Sequence, residues 1–313
     1  MIRQALITIL IVFVNSGFAS ESNSTWKEVD AKFSTGIKSG HITFKIGGLI
    51  SDGESIGKAH FPISELKFPK NYKTAQFAIT MKGHNNWDVL FEIETNLSKD
   101  AGLLEDSDWL SPDRLDIYSD SKTEISAKEF LFEVSNDSEA IRFLNDLELC
   151  ENRFGFGLIG QFLDYRAYDT VQSYPSSNEP DISLKGDTIL YDFVQITPFV
   201  SYSISHSFFR KAVISGKIIV SPFMFLKDKD YHILREKTSK SSTRGWLFDS
   251  SIVLNWNANP SLSLFTAFNY QQFEANGNQT QKLASNYESR KLKVKVKHIG
   301  QQMNIKTGII FRF

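Results

Sequence analysis

Two short acidic clusters carry the clearest chemical signal in this sequence. One is Leu104-Glu105-Asp106-Ser107-Asp108-Trp109; the other is Leu226-Lys227-Asp228-Lys229-Asp230-Tyr231-His232. In an extended chain, residues two apart project to the same face. Asp106 and Asp108 can therefore enter one cleft together, and so can Asp228, Asp230 and His232. A carboxylate beside an imidazole orients the ring and stabilises its charged form, so the imidazole can take a proton from water. A second carboxylate pair could hold the same water, or share a proton and act as an acid. That combination suits hydrolysis by an activated water without a covalent intermediate.

Other chemistries fit less well. A D-x-D is common, and most acid pairs in loops are merely solvated. A calcium loop needs a longer oxygen-rich run with a glycine at its turn. A zinc site needs clustered His or Cys, and the six His residues are scattered. No metal and no organic cofactor is therefore expected. His206-Ser207 invites a serine-hydrolase reading, but it falls in a short turn at the opposite end from the acids.

The elements that must position these acids read as strands. Helical periodicity is nearly absent and period-two alternation recurs. Trp87, Val89, Phe91, Ile93, Thr95 and Leu97 share one face, opposite Asp88, Leu90, Glu92, Glu94 and Asn96. A second apolar face runs through Ala212, Ile214, Ile218, Val220, Met224 and Leu226. In a membrane barrel such a face meets lipid and the polar one lines the lumen. Ten segments follow this pattern: 27–46, 64–84, 86–98, 124–135, 153–169, 188–205, 210–226, 245–257, 261–275 and 290–313. Short connections fall at Gly83-His84-Asn85, Ser207-Phe208-Phe209 and Asn257-Ala258-Asn259-Pro260. Longer polar ones fall near 47–63, 99–123, 170–187, 227–244 and 276–289. The connection near 136–152 is longer than a short turn. The prediction is a ten-stranded antiparallel transmembrane β-barrel with tall extracellular loops.

Composition agrees. Residues 1–19 read as a secretory signal, with Arg3 as its charge, Ala5–Val14 as its apolar run and Gly17 and Ala19 at the cleavage site. Residues 20–313 then form the barrel. Without Arg3 the chain holds 34 Lys and Arg against 36 Asp and Glu, which is no nucleic-acid footprint. The 26 Phe and 10 Tyr suit aromatic girdles. Cys150 stands alone, so no intramolecular disulfide forms. Ile305, Ile309, Phe311 and terminal Phe313 alternate, which resembles the signal read by the barrel-assembly machinery. With both ends of the barrel chain periplasmic, connections after odd strands lie outside. Both acidic clusters then reach the same extracellular mouth.

At these residues the sequence resembles the omptin family of outer-membrane aspartyl endopeptidases. The family pattern D-x-D-W matches Asp106-Ser107-Asp108-Trp109, and D-x-D-x-H matches Asp228-Lys229-Asp230-Tyr231-His232. The resemblance implies a ten-stranded barrel, Asp106, Asp108, Asp230 and His232 as catalytic residues, and Asp228 as a binder of the basic side chain before the cut bond. It implies extracellular, cationic peptides or proteins as substrates. It also implies lipopolysaccharide as a partner required for activity, with Asp164-Tyr165-Arg166 resembling the family's acid-x-Arg lipid A site. Val194 stands where that site's second basic residue is expected. Phe44 falls on the position of a family Glu in the substrate pocket, which predicts a weaker or altered basic preference. The rival expectation is a non-enzymatic barrel for adhesion, invasion or surface recognition.

One internal conflict has a specific resolution. If even residues from Ala212 to Leu226 face lipid, a regular strand turns Asp228, Asp230 and His232 outward. The acids enter a groove only if the register breaks by one residue between Ser221 and Asp228. Pro222 is the natural place for such a bulge, because it has no N–H for the ladder. Lys291, Lys293, Lys295 and Lys297 line one side of the last strand and read as a solvated edge.

Overall fold

The computed structural model describes residues 26–51, 56–83, 86–137, 150–209, 211–283 and 291–313. The expected signal at 1–19 and most of the connection near 136–152 lie outside these residues. The chain forms β1 (Trp26–Ser51), β2 (Ile56–Lys58), β3 (Ser64–Pro69), β4 (Tyr72–Gly83), β5 (Trp87–Asn96), β6 (Asp100–Ser111) and β7 (Arg114–Asp137). It continues through β8 (Cys150–Ser173), β9 (Ile182–Phe209), β10 (Ala212–His232), β11 (Lys237–Asn259), β12 (Leu262–Leu283) and β13 (Lys291–Arg312).

Near the chain ends, ten strands close an antiparallel ring in the order β1-β4-β5-β7-β8-β9-β10-β11-β12-β13, and β13 pairs back onto β1. Towards the other end, β3 replaces β4 beside β1, β6 replaces β5 beside β7, and β3 pairs with β6. The ring is therefore ten strands wide over its whole height. This is the expected barrel, with one correction. Most of the stretches read as long polar loops are upward extensions of the strands. Asp106 and Asp108 lie on β6, and Asp228 to His232 end β10. The turn placed at Ser207–Phe209 sits slightly later, since Phe209 still pairs with Ala212. Phe313 exchanges both backbone hydrogen bonds with Val29 (3.0 and 3.3 Å), sealing the ring at the chain ends.

Side-chain polarity inverts along the height. In the lower part of β13, Met303, Ile305 and Phe311 point outward while Gln302 and Asn304 are buried in the lumen. Higher on the same strand, Val294 and Val296 are buried inside and Lys293 and Lys295 face out. Apolar outside and polar inside suits lipid; the reverse suits water. No helix in the described residues is long and apolar enough to cross a membrane.

In β10 this inversion coincides with a bulge. Ser221 pairs with Leu247 and Met224 with Gly245, so Pro222 and Phe223 together oppose Trp246 alone. The same extra residue appears against β9 between Val220 and Phe225. Below the bulge, Ile214, Ile218 and Val220 face outward; above it, Met224 and Leu226 are buried inside. The continuous apolar stripe expected from Ala212 to Leu226 thus splits into an outer stripe and an inner one. Gly245 lies close beneath the Glu274 carbonyl, and a Cβ there would collide with it.

The lower lumen is filled by charge pairs around a small cavity of about 220 Å³. Lys38 Nζ contacts Glu94 Oε1 and Glu129 Oε1, both at 2.7 Å, and Lys306 Nζ contacts Glu94 Oε2 at 2.5 Å. Lys38 and Glu94 are buried, so each depends on the other for compensation. Lys38→Met should lower stability by about 3 kcal/mol by removing the buried cation that Glu94 and Glu129 share, leaving Glu94 only Lys306. Denaturant unfolding in micelles measures this; an unchanged midpoint would show that the network contributes nothing.

Candidate active site

The bulge decides which way the end of β10 faces. Above Pro222, alternate residues Met224, Leu226, Asp228, Asp230 and His232 are all buried inside the ring. His232 Nε2 stands 2.9 Å from Asp230 Oδ2. A single 3-10 turn, Ile233–Arg235, follows and is closed by Glu236 in the left-handed region (φ 46°). β11 then begins at Lys237, which pairs with His232 across the hairpin.

The second acidic pair approaches from the opposite side. β6 is held between β3 and β7, with Asp106 opposite Leu66 and Asp108 opposite Ser64. Arg235, in the turn beyond His232, reaches Asp108 with Nη2–Oδ2 at 3.7 Å. The two clusters therefore face one another across the end of the barrel far from Phe313. Asp106 Oδ1, Asp228 Oδ1 and Asp230 Oδ1 are enclosed and accept no hydrogen bond from the protein. Each keeps a lone pair for an incoming donor.

Electrostatics separates the acids. Burial pushes Asp106 up from its ordinary 3.8 to about 7, and the charge of Asp108 adds to this. His232, Arg235 and Lys237 pull the other way without cancelling it. Burial also lowers Lys237, against the pull of Asp230, Asp106 and Asp108. Asp106 is thereby suited to serve as the proton donor of the pair.

The remaining expected residues are placed differently. Asp228 has no exposed side-chain surface; its Oδ2 lies 2.7 Å from Nε2 of His298, which is equally enclosed. Ser241 Oγ donates to the same oxygen. Phe44 is buried and packs edge-on against His298 at 4.9 Å and Tyr191 at 6.3 Å. Asp228 and Phe44 therefore offer no open surface to a substrate. Asp164 and Arg166 lie on the outer face of β8. Arg166 is engaged by Asp187 at 2.8 Å and Glu124 at 3.5 Å. Val194 is exposed nearby on β9.

Sequence reading missed His298, Arg235 and Lys237. His298 sits on the inward face of β13 with Val294 and Val296, so strand parity could have found it. Arg235 and Lys237 directly follow the His of the second cluster. Among the described residues, no group of three or more His, Cys, Asp or Glu is arranged to hold a metal.

No family model matches this chain. No curated protein matches it either. Among solved structures it is similar to the outer membrane protease OmpT from Escherichia coli, at 17% identity and a TM-score of 0.77, covering 94% of this chain and 99% of that one. That likeness shows a shared fold. OprG from Pseudomonas aeruginosa aligns over 91% of this chain and 95% of its own at 9% identity, with a TM-score of 0.39.

Proposed function

We propose that this protein is an outer-membrane endopeptidase acting on extracellular peptides or proteins. The observation that carries the reading is the Asp230–His232 contact facing Asp106 and Asp108 across one mouth of the barrel. The fold shared with OmpT, a protease by its name, supports it.

The chemistry follows from the geometry. Asp230 holds one nitrogen of His232, leaving the other to take a proton from water. The water oxygen bonds to the substrate carbonyl carbon. Asp106, protonated below about pH 7, donates to the developing oxyanion. Asp108, held by Arg235, accepts from the same water. When the carbon–nitrogen bond breaks, His232 returns its proton to the leaving amine.

A pH dependence follows. Asp106 gives up its proton as pH rises through about 7, so kcat/KM should fall over that range. Asp106→Asn should lower kcat/KM at pH 6 about a hundredfold and remove the alkaline limb. The native state also binds this proton more tightly than the unfolded chain between pH 3.8 and about 7, so stability declines as pH rises through that window. The Asn variant should therefore be more stable at pH 8, by on the order of 2 kcal/mol. An unaltered pH profile in this variant would remove Asp106 from the chemistry.

The reading as a whole is tested by refolding the barrel with and without lipopolysaccharide and assaying quenched fluorescent peptides. Cleavage is expected, stronger with lipopolysaccharide. For phosphate to bind Arg166, it must compete with Asp187 and Glu124. A barrel for surface recognition would cleave nothing under either condition. The enclosure of Asp228 and Phe44 near the acids is the feature that favours that second reading.

A further inference from the structure

The interior beside the acids is closely packed and aromatic. Asp106 is paired across strands with Leu66, and Leu66 with Phe44. Tyr191 lies opposite Asp230. Phe68 stacks on Tyr191 at 4.2 Å between centroids and contacts Tyr165 at 5.0 Å. Phe44, Leu66, Phe68, Tyr165 and Tyr191 are all at most 3% exposed, so they form a sealed surface. A substrate side chain next to a bond held at Asp230 and His232 therefore meets the edge of a packed apolar layer and no open acidic pocket.

The carboxylate in that layer is held within the protein through one oxygen, Oδ2, while Oδ1 accepts no hydrogen bond. Asp228 shares its inward face with Asp230 and His232, one step further down. Its Oδ2 is taken by His298 at 2.7 Å and by Ser241. The other ring nitrogen of His298 faces Thr243 Oγ1 at 3.4 Å. A buried charge needs a partner within the protein, and here the protein supplies its own. A cationic substrate side chain would have to displace both Phe44 and His298 to reach Asp228. Arg235 and Lys237 stand beside the catalytic acids and oppose a further cation.

We propose that His298, by pairing with Asp228 within this aromatic layer, makes the site select an uncharged apolar side chain before the cut bond and reject Lys and Arg there. The proposal rests on the endopeptidase reading. It replaces the cationic preference expected from the sequence with a specific opposite, and it gives His298 the positioning role.

Two measurements on the refolded full chain test it. The first is a melting cycle in micelles with His298→Gln, Asp228→Asn and the double variant. His298→Gln should lower the melting temperature by several degrees by leaving the enclosed Asp228 with Ser241 but without its imidazole, and the double variant should recover most of that loss. A double variant that melts no higher than His298→Gln would overturn the pairing. The second is a library of unstructured peptides read by mass spectrometry. Leu, Phe or Ala before the cut bond should be favoured at least tenfold over Lys or Arg. Cleavage led by Lys or Arg would overturn this proposal and leave the endopeptidase reading standing. Cleavage of no peptide would overturn both.

Discussion

Asp230→Asn and His232→Ala should each lower kcat by about a thousandfold in refolded barrels, with little change in folding. The size follows from the role: a positioned base contributes about 10²–10⁴ in rate, and a base held by a single carboxylate depends on that partner. The two losses should not add, because Asp230 acts on water only through His232 at 2.9 Å. The double variant should therefore be no slower than His232→Ala alone. The barrel should survive, since neither residue belongs to the lower ion-pair network of Lys38, Glu94 and Lys306. Heat-dependent gel mobility reports folding, and peptide turnover reports the chemistry. Normal turnover in either single variant would mean that another group activates the water.

Deleting Pro222 should be as damaging, for a different reason. The deletion removes the one residue by which β10 exceeds β9 and β11 between Val220 and Met224. With regular pairing restored, residues above it change face, because a one-residue slip exchanges the two sides of a strand. Asp228, Asp230 and His232 would turn to the outside, and Lys227 and Lys229 would enter the ring. Turnover should fall to the level of His232→Ala. Pro222→Gly keeps the residue count and should retain most activity. Equal loss in both variants would mean that the proline ring matters rather than the register.

These two cases show where the sequence was legible and where it was not. The outward alternation of Trp87, Val89, Phe91 and Ile93 and the terminal run to Phe313 were readable because lipid contact enforces strict period two. The ten strands and their antiparallel order followed from that repetition. The tall extensions were harder. Above the lipid, water lies outside and the core within, so the polar outer residues of β6 or β10 look like loop sequence. Val294 and Lys293 keep the same parity as Asn304 and Ile305 but exchange polarity. In β10 the parity itself changes, and only the demand that Asp230 enter the groove exposed the break at Pro222.

The site divided along similar lines. Asp106, Asp108, Asp230 and His232 lie close together in the chain in two clusters, and strand geometry then brings the clusters together. The Asp228–His298 pair spans 70 residues and depends on β10, β11 and β13 converging on one layer, which spacing does not reveal. Phe44 was visible as an unusual residue. Its packing against His298 and Tyr191, which turns a pocket into a packed layer, is a tertiary fact.

The most direct test of water activation by Asp230 and His232 is to incubate an unstructured protein with the refolded barrel and lipopolysaccharide, and to weigh the products by mass spectrometry. The expected result is complementary pairs of fragments whose masses together exceed the parent by one water for each single cut, formed by the native barrel and absent with His232→Ala. An intact substrate with the native barrel, or the same fragments at the same rate with His232→Ala, would contradict the account.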